Sequence, residues 1–561
     1  MFNFQFLAEN IPIDMPAPFG FDTWLTFWMC FGIAVVNAFA MCFVGYRFLQ
    51  VLQLSGYRSK GYWAWMRDTK FRFWGGLIVL SFLSAAALLM TNVLLSDFFK
   101  YKIMTYLGLV FYLVFLLMYI INMNAYPTKT PLKYTSRLVR LMIVQTVLVF
   151  VATFALVGVS DVHIPYFRFG MVALTPALLP LIIQLAHYIT CPFETLNNKR
   201  YVKKAIAVLG CRKDLTVVGI TGSYGKTTVK NMLSTMLGEK FSVCATPQSF
   251  NTPLGLSRTI LHNLKSENTV LIAEMGARHE GDIAFLCNMV HPTIGVLTGI
   301  GNQHMSTFRD IETLMKTKNE LADEVLKNNG KMFFAGDSAG SAELFEKYAG
   351  DRTLVSVENT NANVFATGVE VSEKGSTFVL HIGGKTANCK TQLLGKHNIA
   401  NILLCCAVCD QMGLSINEIK RGISKLVPTA HRLAIVPSNN SLVVIDDAYN
   451  GNVAGCKAAL EVLALFHGKK YVITPGLVEL GKDEFNANFQ FGRDMAAVCD
   501  KVIIDGVGNY EAIAAGLEFG GMEKENILRA ATLSQATEVL ATFAEPGDVV
   551  LFENDLPDNY V

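Results

Sequence analysis

The sequence lacks a surplus of either charge. Its 561 residues carry 48 Lys and Arg against 46 Asp and Glu, a formal net charge of +2, and no basic tract with interleaved aromatics. That excludes nucleic acid as a partner. A disulfide framework is also missing. The 12 cysteines are scattered, most of them in apolar runs such as Leu403-Leu404-Cys405-Cys406-Ala407-Val408-Cys409, which fits a reducing compartment. Cys406 and Cys409 form a C-x-x-C, but no second pair stands at zinc-ribbon spacing, and the run is expected as the buried face of a helix. What is present is unevenly placed. The first 190 residues are dense in Phe, Leu, Met and Trp, whereas the remainder has the mixed charge and Gly content of a soluble α/β protein. The length predicts about three or four folded units, and the composition predicts two solvents for them.

Apolar runs of about 20 residues, the length that crosses a bilayer as helix, lie at 24–46, 73–95, 103–123, 141–159 and 170–188. No small-residue cleavage site follows the first, so a retained helix is expected and not a signal peptide. Lys and Arg stay on the cytoplasmic side. The loop after the first run carries Arg47, Arg58, Lys60, Arg67, Lys70 and Arg72; the loop after the third carries Lys129, Lys133, Arg137 and Arg140; Lys199, Arg200, Lys203 and Lys204 follow the fifth. The opposite side is poor in charge. The pattern predicts an all-α polytopic membrane domain of about five helices in the plasma membrane, N-terminus outside, with everything beyond residue 190 in the cytoplasm. No ionisable residue stands mid-span, where a transporter would need one, so this half reads as an anchor or a platform for a lipid substrate.

Beyond it, Leu215 to Ile220 reads as a buried strand feeding Thr221-Gly222-Ser223-Tyr224-Gly225-Lys226-Thr227-Thr228 and then a helix to about Leu237. Strand, Gly-rich turn and helix N-terminus make an anion cradle: backbone N–H groups approach phosphates, Lys226 bridges β- and γ-oxygens, and the Thr227 hydroxyl holds Mg2+. The strict phosphate-loop pattern requires Gly at 220, which is Ile here, with Gly219 one residue early. Further motifs follow: Ser249-Phe250-Asn251-Thr252-Pro253-Leu254-Gly255; Glu274-Met275-Gly276-Ala277 after the strand Val270 to Ala273; Gly301-Asn302-Gln303-His304 after Ile294 to Thr298; and Met315-Lys316-Thr317-Lys318-Asn319-Glu320. Beyond these come Gly395-Lys396-His397-Asn398-Ile399-Ala400-Asn401, His431-Arg432-Leu433, Asp446-Asp447-Ala448-Tyr449-Asn450-Gly451-Asn452 and Pro475-Gly476-Leu477-Val478-Glu479-Leu480-Gly481. A carboxylate, Glu274, and an imidazole, His304, at the carboxyl ends of adjacent parallel strands are expected to point into one crevice.

These motifs, in this order over roughly residues 210–555, resemble the Mur ligase family, and its F type most. The resemblance implies an α/β central ATP-binding domain with a phosphate loop at 214–427, an α/β Rossmann-like C-terminal domain at 428–561, and a linker at 193–213 after a membrane domain at 1–192. It implies ATP and Mg2+ as cofactors. Gly222, Ser223, Gly225, Lys226, Thr227 and Thr228 would hold the phosphates; Glu274 and His304 would join Thr227 as metal ligands, with Lys318 as a carbamylated fourth. Asn398 and Asn401 would contact adenine, Arg432 the phosphates from the second domain, and Asp446 the ribose, beside Tyr449 and Asn450. Short alternating strands between 330 and 393, such as Asn363 to Val369 and Ser376 to Ile382, match the F-type extension of the central domain.

The implied activity is ATP-dependent amide-bond formation through an acyl phosphate, in cell-envelope or peptidoglycan precursor synthesis, with ATP competent only when the two domains close. The chain departs from the family in four places. Membrane segments stand where F-type enzymes have a UDP-sugar domain, Asn319 and His431 each replace a Gly, and Glu553-Asn554-Asp555-Leu556 follows the strand Val549 to Phe552 where the family has K-G-S-R. The acceptor is therefore expected to be a small-molecule or lipid-linked precursor at the bilayer. A ligase of poly-γ-glutamate or cyanophycin type, and a membrane nucleotide-dependent transporter or sensor, are the alternatives.

Overall fold

The computed structural model describes residues 24–69, 72–95, 110, 112–121, 130–159, 172–301, 308, 310–438, 441–449, 451–478, 480–506 and 508–555. It divides into two compact units that part between Asn197 and Asn198.

The first unit is helical throughout its regular structure among the described residues, with helices Trp24–Val44, Tyr46–Leu54, Ser59–Asp68, Arg72–Leu95, Tyr112–Ile121, Ser136–Val159 and Thr175–Gly210. Its outer face is rich in apolar side chains, and some polar ones lie inside. Phe39, Phe43, Ile143, Val147 and Leu185 face outward, whereas Asn37, Gln145 and Thr153 are buried. Asn37 donates to Thr153 Oγ1 and Thr175 Oγ1, both at 2.9 Å, and accepts from the Tyr112 hydroxyl. Four helices are thereby joined by a buried amide whose polar atoms all have partners, the condition under which such a network specifies a packing. The first helix bends by 50° into Tyr46–Leu54 at Gly45, where a Cβ would lie 3.0 Å from the Met41 carbonyl and 3.2 Å from Gln145 Nε2. Two helices, Ser136–Val157 and Thr175–Gly210, are long and apolar enough to cross a membrane, and the bent pair would make a third. All five apolar runs contain helix, but the five-span expectation is met only to that extent among the described residues. The first cationic loop is itself mostly helix, and the segment expected as a linker, 193–213, continues the helix to Gly210.

The second unit holds two sheets. The first is built from β1 (Thr216–Thr221), β2 (Val243–Ala245), β3 (Val270–Glu274), β4 (Ile294–Leu297), β5 (Lys331–Ala335), β6 (Arg352–Ser356), β7 (Val364–Ser372), β8 (Gly375–Ile382) and β9 (Lys385–Thr391). Their order is β2-β3-β1-β4-β5-β6-β7-β8-β9, parallel through β7 and antiparallel from there. Strands β1, β3 and β4 are almost wholly buried, as a sheet covered on both faces requires. Helices Lys226–Leu237 and Lys396–Gln411 pack on one face, and Pro253–His262, Asp282–Val290 and Ile311–Lys327 on the other. Cys405, Cys406 and Cys409 are free and lie in the first of these cores. Strands β7 to β9 form the expected extension, β8 alternating buried and half-buried residues. The second sheet comprises β10 (Ala434–Val436), β11 (Val443–Asp447), β12 (Lys470–Thr474), β13 (Lys501–Asp505), β14 (Ile527–Ala530) and β15 (Val549–Glu553), in the order β10-β11-β15-β12-β13-β14, parallel except at β10.

Candidate active site

Strand β1 ends at Thr221, and the chain turns through Gly222 to Gly225 into the helix that begins at Lys226. Gly225 has φ +81°, and a Cβ there would stand 3.1 Å from Asn401 Oδ1; one on Gly222 would run into the Thr298 hydroxyl. The loop is thus held against the end of β4. Ser223 N donates to Gly299 O at 2.8 Å, and Thr298 Oγ1 donates to Tyr224 O at 2.5 Å. The Ser223 hydroxyl is buried without a partner. Lys226 donates to Gly222 O at 2.7 Å and Ser223 O at 2.8 Å. Burial lowers its amine to about 8, Arg432 adding to the effect and Glu274 opposing it. Thr228 is half-buried in the first helical turn.

Glu274 closes β3, almost completely buried. Its Oε1 accepts from Thr227 Oγ1 at 3.1 Å and from Asn251 Nδ2 at 3.3 Å, and its Oε2 lies 3.3 Å from Lys230 Nζ. Lys230, 1 % exposed, also donates to the Gln248 carbonyl. Burial lowers its amine against the pull of Glu274. Lys318, on the helix Ile311–Lys327, is 3 % exposed. Burial and the nearby charge of Lys226 hold its amine down at about 7, with Asp282 and Glu320 opposing. His304 and Asn450 lie outside the described residues. The expected adjacency of the strands before Glu274 and His304 is corrected: β1 lies between β3 and β4, so the phosphate loop emerges from the middle of the site.

The oxygens gathered here fit a hard cation and phosphates. A hydroxyl and a carboxylate stand together, as Mg2+ requires, beside backbone N–H groups at a helix N-terminus and a buried serine hydroxyl that lacks a partner. Among the described residues no group of three or more His, Cys, Asp and Glu converges as a metal site, so Thr227 and Glu274 are the pair brought together.

The second sheet brings its own residues to this place. His431, at φ +59°, adopts the left-handed backbone for which the resembled family uses Gly, and its Nδ1 lies 2.7 Å from Asp446 Oδ2. Arg432 packs over the Tyr449 ring, 4.7 Å from its centroid. Tyr449 OH meets Ser249 Oγ at 2.7 Å, and Asn231 donates to Thr429 Oγ1 at 3.3 Å. Of the two asparagines expected at adenine, Asn401 lies against Gly225, while Asn398 donates to Leu394 O at 2.8 Å. The residue capping their helix is Gly395, not an asparagine. Lys230 and Asn251 were not singled out from sequence: Asn251 stood in a quoted motif without a role, and a lysine one turn into a helix carries no local signal of burial.

Residues 220–409 match the Mur ligase middle domain and residues 431–553 the Mur ligase glutamate ligase domain. The chain is 30 % identical over 360 residues to UDP-N-acetylmuramoyl-tripeptide–D-alanyl-D-alanine ligase of Mycobacterium tuberculosis, covering 60 % of this chain and 70 % of that one. It is 29 % identical over 374 residues to the protein of the same name from Bacillus subtilis, covering 65 % and 78 %. Its fold is similar to that of MurF ligase from Thermotoga maritima, solved in complex with ADP, with a TM-score of 0.58 and 26 % identity over 64 % of this chain and 80 % of that one. The chain belongs to the Mur ligase family, ATP- and Mg2+-dependent enzymes that form amide bonds.

Proposed function

We propose that the chain is a membrane-held ligase of the F type, which joins an amine to a peptide carboxylate on a peptidoglycan precursor at the cytoplasmic face of the plasma membrane. The observation that carries this is the meeting of Thr227, Glu274 and the phosphate loop with Arg432 of the C-terminal domain close enough to perturb Lys226 and Lys230. In this reading the domains are 1–192 in the membrane, 214–427 binding ATP and 428–561 closing over it.

The loop from Gly222 to Thr228 cradles the phosphates, and Lys226 exchanges its loop carbonyls for β- and γ-oxygens. Arg432 supplies a second positive charge from the opposite domain. Thr227 and Glu274 would hold Mg2+, joined by His304 and a carbamylated Lys318, and the ion would neutralise charge at the transferring phosphoryl. Asn398, Asn401, Asp446, Tyr449 and Asn450 orient the nucleoside. The acceptor carboxylate attacks the γ-phosphorus, and ADP leaves. The amine nitrogen then attacks the acyl carbonyl, and phosphate leaves.

The apolar outer face of the first unit supports a membrane-spanning reading, for which we propose five spans. Large apolar side chains facing outward suit lipid as solvent. A lipid-linked acceptor would be concentrated there, each buried CH2 contributing roughly 0.8 kcal/mol. With this protein in membranes, ATP-dependent ligation is expected to run faster on a polyprenyl-pyrophosphate-linked muramoyl peptide than on its UDP-linked form, and removal of residues 1–190 to erase that preference. Equal use of both by the full chain would contradict a membrane acceptor.

A further inference from the structure

Where the family has K-G-S-R, this chain places Glu553 at the end of β15 and Asn554 in the left-handed conformation, φ +64°. Glu553 is paired in register with Asp447 at the end of β11, the neighbouring parallel strand, so two carboxyl side chains stand side by side at the carboxyl edge of the C-terminal sheet. Ligands of open α/β sheets gather at that edge. Glu553 is 1 % exposed. Its Oε1 accepts from Cys456 Sγ at 3.1 Å, and its Oε2 is buried with no partner. Asp447 is half-buried, and its Oδ1 accepts from Leu433 N at 3.0 Å. Among the described residues no Lys, Arg or His forms an ion pair with either carboxyl. The two are held in place by Asn554, whose N donates to Asp447 O at 3.2 Å and whose side chain bridges Gly451 N at 3.0 Å and Gly476 O at 2.7 Å.

Two adjacent carboxyls without an ion-paired cation are costly in a buried place. The cost shows in their proton affinities: burial and the neighbouring acid raise Glu553 well above the usual carboxylate range, and burial raises Asp447 to about 6. A group that brings positive charge relieves it. Arg432 immediately precedes Leu433, whose N donates to Asp447, and it lowers Asp447 while also lowering Lys226 of the phosphate loop, so one guanidinium acts on both the carboxyl pair and the loop.

We propose that Asp447, with Glu553 behind it as a positioning residue, is the subsite that receives the amine substrate as a primary ammonium ion. This rests on the ligase reading above. Asp447 accepts a hydrogen bond from the ammonium and takes one of its protons; the freed nitrogen lone pair forms the C–N bond at the acyl carbonyl as the C–O bond to phosphate breaks, and the second N–H proton leaves with the phosphate, which departs as hydrogen phosphate. Nothing is oxidised or reduced, and the first proton remains on the Asp447–Glu553 pair until product leaves.

The test uses the full chain in membranes with ATP, Mg2+ and both the UDP-linked and polyprenyl-linked muramoyl tripeptides as acceptors. D-alanyl-D-alanine is the cationic amine, and hydroxylamine, largely uncharged at pH 7.5, is a nucleophile that needs no ammonium subsite. Asp447→Asn and the isosteric Glu553→Gln are expected to raise KM for the dipeptide at least tenfold, and Asp447→Asn to lower kcat with the dipeptide as well, with KM for ATP and the rate of hydroxamate formation within twofold of the unsubstituted protein. A merely structural pair would move all three together, and that outcome overturns the proposal, as does an unchanged dipeptide KM in both variants. Failure of the unsubstituted protein to form any hydroxamate would instead overturn the ligase reading, and the subsite with it.

Discussion

Beneath the phosphate loop, Lys230 and Glu274 face each other 3.3 Å apart, each 1 % exposed. Removing one partner of such a pair strands a charge in low dielectric and costs about 3–5 kcal/mol, so Lys230→Met is expected to lower the unfolding free energy of the protein by that amount in the absence of Mg2+ and nucleotide. A urea midpoint equal to that of the unsubstituted protein would show that Glu274 has another counter-charge. Lys318 is the second buried amine of the site. At about 7, its neutral fraction, the form that adds CO2, is already substantial at neutral pH and grows as pH rises above that value. Lys318→Ala is expected to lose about 100-fold or more in ligation rate, with partial recovery in millimolar propionate, whose carboxylate fills the vacated place; full activity without the acid would dismiss the carbamate. The loop and Glu274 were legible in the sequence because their spacing is local: a strand, four residues of turn, a helix start. Lys230 and the burial of Lys318 were not, since Lys230 meets Gln248 and Glu274, and Lys318 lies near Lys226 and Asp282, partners that local spacing does not reveal.

At the scale of elements, each apolar run contains helix among the described residues, as its length and composition predict. Their breaks were hidden. At Gly45, where the first helix bends, a Cβ would crowd the Met41 carbonyl, Gln145 and Ile183, and the last two stand on helices far along the chain, so no local pattern marks the position. The segment 193–213 was expected as a linker, yet lysine and arginine are good helix formers and the helix continues to Gly210. Likewise, the cationic stretch after the first run folds as Tyr46–Leu54 and Ser59–Asp68. In the membrane-held reading proposed above, its charges set the orientation. A reporter active only in the cytoplasm is expected to work when fused after residue 200 and to be silent when fused before Phe21; equal activity at both positions would contradict the odd number of spans.

The whole molecule combines a helical unit turned apolar side outward with a doubly wound α/β unit in which two sheets contribute to one site. The order of the motifs foretold the two α/β domains. The sequence could not reveal that β1 separates β3 from β4, because strand order is fixed by how helices pack on both faces and not by distance along the chain. Nor could it reveal the contact of Tyr449 with Ser249, 200 residues apart, by which the C-terminal domain reaches the turn that carries Asn251. That contact and the reach of Arg432 tie phosphoryl transfer to the apposition of the two domains. The most direct test of this account follows ADP release and product mass together, with the protein in membranes, ATP, Mg2+, muramoyl tripeptide acceptors and D-alanyl-D-alanine. The account expects one ADP per new amide, a product heavier by the dipeptide less one water, and at least a 100-fold loss of both in Lys226→Ala with membrane insertion unchanged; ligation at full rate in Lys226→Ala, or ATP consumed with no amide formed on any acceptor, would contradict it.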